Sequence, residues 1–222
     1  MSVCGILNTG APYDCNNRVI GGIEQDQIYL FNIDDVDYEN TVINRDSDTN
    51  IHNVSDLQFL SATPLYAFEG INNKSILSAG YTVEQGDYGD YLIHTITVAI
   101  YNQCEESLAL LNKFVAGARV GAIVENKGKG SNNVCAYNIY GLEYGLYSTE
   151  LTYNSNENNG IITLTLSSSS ISPEPYVPYA YLETDYATTT TKIDSLVAWN
   201  DPSTDNEGIG FDIIGTSQIG VD

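Results

Sequence analysis

The chain has 222 residues, of which 42% are hydrophobic, and this is enough for one domain with a substantial core. Its 17 tyrosines and 19 glycines, with many threonines, isoleucines and valines, favour strands joined by tight turns. The formal net charge of −21 is spread along the chain and repels a phosphate backbone, so it argues against a protein that sequesters nucleic acid but not against a surface past which DNA slides.

The cysteines fit a chain that folds in a reducing cytoplasm, and the N-terminus does not resemble a secretory signal. The four cysteines have none of the CxxC spacing of zinc or redox sites. Cys4 and Cys15 are near enough in sequence for one disulfide bridge, and that pairing stays open, whereas we expect Cys104 and Cys135 to be buried thiols. The first residues lack a secretory signal, and no segment approaches the roughly 18 apolar residues of a membrane helix. We therefore expect a soluble chain that begins near Met1.

The first third of the chain predicts an arm followed by short strands. Residues 1–27 are rich in Gly, Asn and Asp and are expected to form an irregular N-terminal arm. The compact apolar run at 28–33 predicts the first core strand, and the polar stretch 37–56 predicts a long loop. Two further strands are expected at 57–63 and 65–71.

A long β-hairpin is the clearest local prediction. Residues 75–84 and 91–101 are typical of strands, and the Gly-containing and Asp-containing stretch 85–90 has the chemistry of a turn. In the second strand every other residue is expected on one face, namely Leu92, His94, Ile96, Val98 and Ile100.

The periodicity then changes to that of a helix. We predict one helix at 102–116. Asn102 is its expected N-cap, with Glu105 three residues later as in a capping box, and Gly117 is expected to end it. Leu108, Leu111 and Val115 are expected to pack on a sheet, and no other substantial helix is expected.

Two more hairpins follow the helix. Strands at 120–126 and 134–140 are joined by a glycine turn, and strands at 146–153 and 161–167 are joined by an Asn-rich loop.

After residue 168 the composition shifts to Ser, Pro, Tyr and Thr, with one strand expected at 193–199. The expected division is thus an arm at 1–27, a β core at 28–168 and a C-terminal extension at 169–222. Since a lone strand cannot satisfy its own backbone groups, the partner of the extension is expected to be a neighbouring subunit.

Catalytic patterns are sparse. The only histidines are His52, in the predicted polar loop, and His94, in the long strand, and no GxSxG motif is present. We predict that the protein is not an enzyme and has no cofactor. An unrecognised hydrolase remains a third hypothesis, because 29 acidic residues offer many carboxylate pairs for glycoside hydrolysis.

Two short motifs do not meet the requirements of a binding site. Residues 46–50 imitate the start of an EF-hand, but Ile51 stands where the loop needs Gly and Leu57 where it needs Glu, so only weak surface calcium binding stays open. Residues 128–131 have the composition of a phosphate-binding loop but are expected to form a hairpin turn, because strands flank them on both sides.

The order of elements and three local strings carry a resemblance to a known family. The strings are Val124-Glu125-Asn126-Lys127 before the glycine turn, Ile139-Tyr140-Gly141-Leu142-Glu143-Tyr144-Gly145-Leu146, and the Thr-rich closing strand at 160–168. Over roughly 28–168 the chain resembles the tail-tube proteins of bacteriophages and their relatives in tail hubs, type VI secretion tubes and contractile injection systems. Its composition, which is acidic and rich in asparagine, is also similar to that of virion proteins of phages that infect Bacteroidetes, crAss-like phages included.

The resemblance implies a mainly β, tail-tube-like sandwich or barrel with one flanking helix and extended terminal arms. It implies a virion protein that assembles in the host cytoplasm and does not insert into a membrane. The expected partners are identical copies in a ring, with six as the expected number, and other tail or connector proteins. DNA would pass through the ring without specific binding. Because both arms lie outside the usual tube core, a tube, hub, ring or collar role stays open. The hypothetical interface comprises Thr82, Glu84, Asp87, Tyr88, Asp90, Tyr91, His94, Thr95, Thr97 and Tyr101.

A different function class competes with this interpretation. A Tyr-rich β-sandwich is also typical of an extracellular or virion adhesin that binds carbohydrate. The single tryptophan, Trp199, and the missing signal sequence count against it.

Overall fold

The computed structural model describes residues 21–46, 51–70, 76–86, 89–101, 103–130, 133–156 and 160–197. Within these ranges the chain forms eleven strands and two α-helices. The strands are β1 Ile23–Asn32, β2 Val42–Arg45, β3 His52–Asp56, β4 Tyr66–Glu69, β5 Ser78–Gly86, β6 Gly89–Ile100, β7 Val120–Asn126, β8 Tyr137–Tyr140, β9 Tyr147–Thr152, β10 Ile162–Ser167 and β11 Tyr179–Tyr181. The helices are α1 Glu105–Val115 and α2 Tyr186–Leu196.

The strands form two sheets, which confirms the predicted mainly β sandwich. The large sheet has the order β2-β3-β11-β8-β7-β1-β4, and the small sheet has the order β5-β6-β10-β9. Neighbouring strands are antiparallel except for β11 and β3, which run parallel. In the described part of the chain both sheets are open, so the fold is a sandwich and not a closed barrel.

The large sheet is the middle layer of the molecule. One of its faces packs against the small sheet and α1, with Ile28, Ile96 and Leu164 in the shared core. The other face packs against α2 and the segment 57–65 in a second core. A sheet covered on both faces contains strands that are apolar along their whole length, and the first six residues of β7 are all buried.

At the centre of the large sheet, one position of β7 has room only for a glycine. Gly121 in β7 lies directly against the ring of Phe31 from β1, which is fully buried. A Cβ atom at position 121 would lie 2.3 Å from Cζ of that ring. The Phe31 ring cannot withdraw, because it packs edge-on against Phe59 with ring centroids 5.3 Å apart.

We expect Gly121→Ala to lower the free energy of unfolding by about 1–3 kcal/mol, the usual cost of overpacking a core. Gly80→Ala in β5 is the matched control, since a Cβ there meets no atom within 4 Å. Urea denaturation followed by circular dichroism measures both. Equal stability of the two variants would contradict the close packing at Gly121.

Several predicted elements are confirmed. The hairpin of β5 and β6, the strand β4 and the two later hairpins, β7 with β8 and β9 with β10, all form. Gly117 ends α1 with a left-handed φ of 100°, and its N–H donates to the carbonyl of Phe114.

The predicted boundaries in the first part of the chain need correction. β1 begins at Ile23, so residues 23–27 belong to the first strand and not to an arm. The predicted loop 37–56 contains β2 and β3, which were missed because only Val54 among their residues is fully buried. The predicted strand 57–63 is a loop with one isolated bridge at Phe59, and Leu57 and Phe59 cover the second face of the large sheet.

The buried face of α1 also differs from the prediction. The helix begins at Glu105 after Cys104, not at 102, and Asn102 lies outside the described residues. Leu111 and Phe114 are buried, whereas Leu108 and Val115 are 47% and 65% exposed. The helix is rotated so that the large ring of Phe114 enters the core, because burial of an aromatic ring removes more apolar area from water than burial of Val115 would.

The C-terminal prediction is wrong as far as residue 197. Residues 193–196 lie in α2 and not in a strand, and β11 pairs with β3 and β8 of the same chain. Asp185 caps α2 by accepting from the N–H of Thr188 at 2.7 Å, and three consecutive threonines donate hydroxyl bonds to carbonyls four residues earlier. Tertiary packing of Ile193 against the large sheet overrides the low helix propensity of the threonine run.

The cysteine predictions are met in part. Cys104 is half-buried, and its sulfur lies 3.2 Å from the Ser107 hydroxyl. Cys135 is exposed in the turn before β8, so its expected burial is wrong. Cys4 and Cys15 lie outside the described residues.

Candidate functional site

The small sheet is the candidate assembly surface. β5 and β6 pair antiparallel from Ser78 with Thr97 to Gly86 with Gly89. β10 continues the sheet on the other side of β6, and β9 follows β10. β6 is therefore an inner strand with both edges occupied, and of the two hairpin strands only β5 lies at an edge of the sheet. The two outer strands are β5 and β9.

Over their own lengths, both outer strands have an edge that pairs with no other described strand. At the start of β9 the chain does meet the large sheet, because Leu146, the residue before β9, forms an antiparallel bridge with Val120 of β7. β5 is nine residues long and carries exposed Tyr81 and Val83. β9 is six residues long and carries exposed Leu151. Neither contains a lysine or a proline, the residues with which proteins usually protect an exposed edge. These edges are therefore competent to pair with another chain.

The face of the small sheet that points away from the core carries mostly hydroxyl groups. Cross-strand partners share a face, and Thr97 lies opposite both Ser78 and Thr165, while Thr95 lies opposite Ser167. Two exposed carboxylates, Glu84 and Glu150, belong to the same face. The four strands contain no lysine or arginine. The face thus offers hydroxyls and negative charge without a cation.

The predicted interface residues are divided between this face, the strand edge and the interior. Thr82, Glu84, Asp90 and Tyr101 are exposed, Tyr91, Thr95 and Thr97 are half-buried, and His94 is buried. Asp87 and Tyr88 lie outside the described residues. Sequence reasoning missed Thr163, Thr165 and Glu150, although the alternation in 161–167 was available to find the two threonines.

His94, one of the predicted interface residues, lies in the core of the described chain and not on its surface. It is 1% exposed. Its Nδ1 accepts from the N–H of Gly141 at 3.1 Å, so the proton resides on Nε2, which donates to the carbonyl of Tyr176 at 3.0 Å. The ring therefore joins β6 to two loops that are distant in sequence. Burial lowers its pKa to about 4, and the histidine is neutral at pH 7.

The second histidine lies close to the first. His52 stacks on the ring of Tyr176 with centroids 4.1 Å apart. It lies in β3 and not in the predicted loop. Both histidines therefore meet the same tyrosine, one through its backbone and the other through its ring.

Glu174 holds the turn that follows β8. Its carboxylate accepts from three consecutive backbone N–H groups, those of Glu143, Tyr144 and Gly145, at 3.0 to 3.2 Å. Its own N–H donates to the carbonyl of Leu92 in β6 at 3.1 Å. Glu174 is 2% exposed, and this burial raises the pKa of its carboxyl although the three N–H groups favour the charged form. It links the turn to the small sheet.

Most basic side chains of the described residues are neutralised within the chain. Four of them form ion pairs, namely Arg45 with Glu143, Arg119 with Asp34, Lys129 with Glu125 and Glu24, and Lys192 with Asp56 and Glu183. The pairs of Arg45, Arg119 and Lys192 involve half-buried or exposed groups, so each contributes little to stability. Glu125 is buried, and Lys129 supplies the countercharge that this position needs. The consequence of all these pairs is electrostatic, since the remaining acids dominate the surface potential.

The described residues contain neither a cluster of metal ligands nor a helix that could cross a membrane. No group of three or more His, Cys, Asp or Glu side chains is arranged to hold a metal ion. Neither helix has the length and apolar character needed to cross a membrane. Residues 47–50 of the EF-hand-like stretch lie outside the described residues.

Comparisons with known proteins identify no relative. No protein-family model, curated protein or solved structure matches the chain. The function must therefore be argued from the geometry of the small sheet and its surroundings.

We expect His94 to make stability pH-dependent. Because its folded-state pKa of about 4 lies below the ordinary 6.5, the unfolded chain binds more protons between these values. The free energy of unfolding contributed by this group is present above pH 6.5 and is lost as the pH falls toward 4. Urea denaturation from pH 7.5 to 4.5 should show a smaller pH slope for His94→Gln than for the wild type. Equal pH slopes for His94→Gln and the wild type would contradict a neutral, buried His94. His52→Gln is the control variant.

We expect Glu174→Gln to lower the free energy of unfolding by about 1–3 kcal/mol, because the amide NH₂ group would face backbone donors. Glu150→Gln, which alters an exposed glutamate of β9, should change it by less than about 0.5 kcal/mol. Chemical denaturation at pH 7 compares the two. If Glu174→Gln lowered the free energy of unfolding no more than Glu150→Gln does, the three N–H bonds to Glu174 would contribute no net stability.

Proposed function

We propose that this chain is a structural subunit of a phage tail, as a tube, hub or ring component, and that its small sheet joins identical copies into a ring. The observation that carries the proposal is that β5 and β9, on opposite sides of one sheet, each have an edge that pairs with no other described strand. When one edge of a subunit pairs with the other edge of the next copy, the contact is head-to-tail. A series of such contacts closes into a ring if the rotation between neighbouring copies brings the last copy back to the first.

The strand directions suit this contact. Directions alternate from β5 through β6 and β10 to β9, because each adjacent pair is antiparallel. In a head-to-tail ring β9 of one copy would meet β5 of the next in antiparallel orientation, so the alternation continues from copy to copy. Each subunit would contribute four strands to one continuous barrel, and closure would remove the exposed edges.

The hydroxyl-rich face is suited to a conduit for DNA. In such a barrel this face, with Thr95, Thr97 and Thr165, would point away from the sandwich core and toward the lumen. A wall of hydroxyls and carboxylates without lysine or arginine repels phosphate and provides no counterion release to hold it. DNA would therefore pass without adhering. The phage assignment rests on the resemblance described above, which also suggests six copies per ring.

Lysines placed on the two edges test the ring contact. Val83→Lys in β5 and Leu151→Lys in β9 should each abolish assembly, because a lysine on an edge opposes pairing with another strand. Val42→Lys is the matched control, since Val42 is exposed on β2 at the edge of the large sheet. Light scattering after size exclusion and negative-stain microscopy measure the particles at high protein concentration, and circular dichroism verifies folding.

The expected result is rings for the wild type and Val42→Lys and folded monomers for the other two variants. A wild type that stays monomeric at high concentration, alone and with tail proteins, would overturn the proposal. Loss of assembly in Val42→Lys alone would place the contact on the large sheet. Retention of the protein on glycan or cell-wall resin would favour the adhesin.

A further inference from the structure

The opposite end of the large sheet has an edge of its own. β4 pairs with β1 on one side and is the last strand of that sheet among the described residues. Its four residues pair with Gln27 through Leu30, so its inner edge is fully used. Its outer edge over Tyr66–Glu69 is paired with no described strand.

The chain already reaches this edge at the residue before β4. The N–H of Leu65 donates to the carbonyl of Leu196 at 3.1 Å, and Leu65 forms a parallel bridge with Val197. Along an extended strand successive N–H groups point to alternate sides. The N–H groups of Ala67 and Glu69 therefore point to the same side as that of Leu65, whereas those of Tyr66 and Phe68 point to β1.

An apolar groove runs beside this edge. A cavity of about 280 Å³ lies between β4, the end of β6 at Ile100 and Leu110 of α1. A neighbouring cavity of about 160 Å³ is lined by Phe68, Phe114 and other apolar side chains. An uncovered edge beside apolar cavities is the arrangement with which proteins accept an added strand, since the edge supplies backbone bonds and the cavities accept alternate side chains.

The chain that follows Val197 offers side chains that fit this groove. The groove has one charge of each sign, because Lys113 lines the smaller cavity and Glu69 lines the larger one. The 25 residues that follow Val197 include five acids, Asp201, Asp205, Glu207, Asp212 and Asp222, and no lysine or arginine. The same residues include apolar side chains such as Trp199, Ile209 and Phe211. The apolar side chains of this segment match the apolar cavities, and Lys113 is the group that an acidic residue of the segment would meet in the smaller cavity.

We propose that the outer edge of β4 is a strand-binding site whose ligand is the segment of the same chain that follows Val197. In the register set by Leu65 and Val197, residues 198–201 pair in parallel with Tyr66–Glu69, and Pro202, which has no N–H, ends the pairing. Attachment at Val197 gives the segment a high local concentration at the site, so the same chain outcompetes other copies. The site covers the β4 edge and leaves β5 and β9 for assembly.

Residue-resolved amide hydrogen exchange of the dilute monomer tests this site. In the full chain the amides of Ala67 and Glu69 should exchange at least about tenfold more slowly than in a chain that ends at Val197. The amides of Tyr66 and Phe68 serve as internal controls, because their bonds to β1 do not change. Lys113→Glu should accelerate exchange at Ala67 and Glu69, whereas Lys127→Glu, the same charge change at the β7–β8 turn, should not.

A pair of proline variants in the full chain keeps the test decisive if the shortened chain does not fold. In the proposed register the N–H of Asn200 faces β4 and that of Asp201 faces away. Asn200→Pro should therefore accelerate hydrogen exchange at the amides of Ala67 and Glu69, whereas Asp201→Pro should leave their exchange slow. Equal exchange at Ala67 and Glu69 in all variants would overturn the proposal. Protection that grows with protein concentration would also overturn it, because the strand would then come from another copy.

Discussion

Burial of β7 on both faces is the constraint on which the rest of the structure depends. A strand that is apolar on both sides must lie inside a three-layer arrangement, because each face needs a cover. β1 and β8 flank it, and the contact of Gly121 with Phe31 fixes how closely β1 approaches. The small sheet covers one face with α1, and α2 covers the other with the segment 57–65.

This arrangement determines which surfaces are left for function. The C-terminal residues as far as Val197 are used to cover the large sheet, so they do not form an arm that reaches a neighbour. Among the described residues, the small sheet is packed against another layer on one face only. Its outer face, which is rich in threonine, and its two lateral edges therefore remain accessible. The surface proposed for assembly follows from the layer that was needed to bury the other side of β7.

Two buried polar residues fix the small sheet to the rest of the chain. His94 and Glu174 bond to backbone groups of the 141–146 turn and of the 168–177 segment, and both join these loops to β6. Buried polar groups with all their partners in place specify one arrangement, because any displacement leaves a group without its hydrogen bond. Such a fixed sheet presents its edges in one orientation, as a ring contact requires.

The sequence by itself determined the elements that depend on local periodicity and turn chemistry: the alternation of His94, Ile96 and Val98, the strand β7, and the end of α1 at Gly117. It also placed Thr95 and Thr97 together on one face, because side chains alternate along any strand. The tertiary structure alone decided the rest. The strand order makes β5 an edge and β6 an inner strand, Phe114 displaces Val115 from the core, and the sheet beneath Ile193 turns a threonine-rich segment into a helix. The contact of Glu174 with the turn at 143–145 spans about thirty residues. Each of these outcomes depends on contacts between distant segments, and no local pattern in the sequence encodes them.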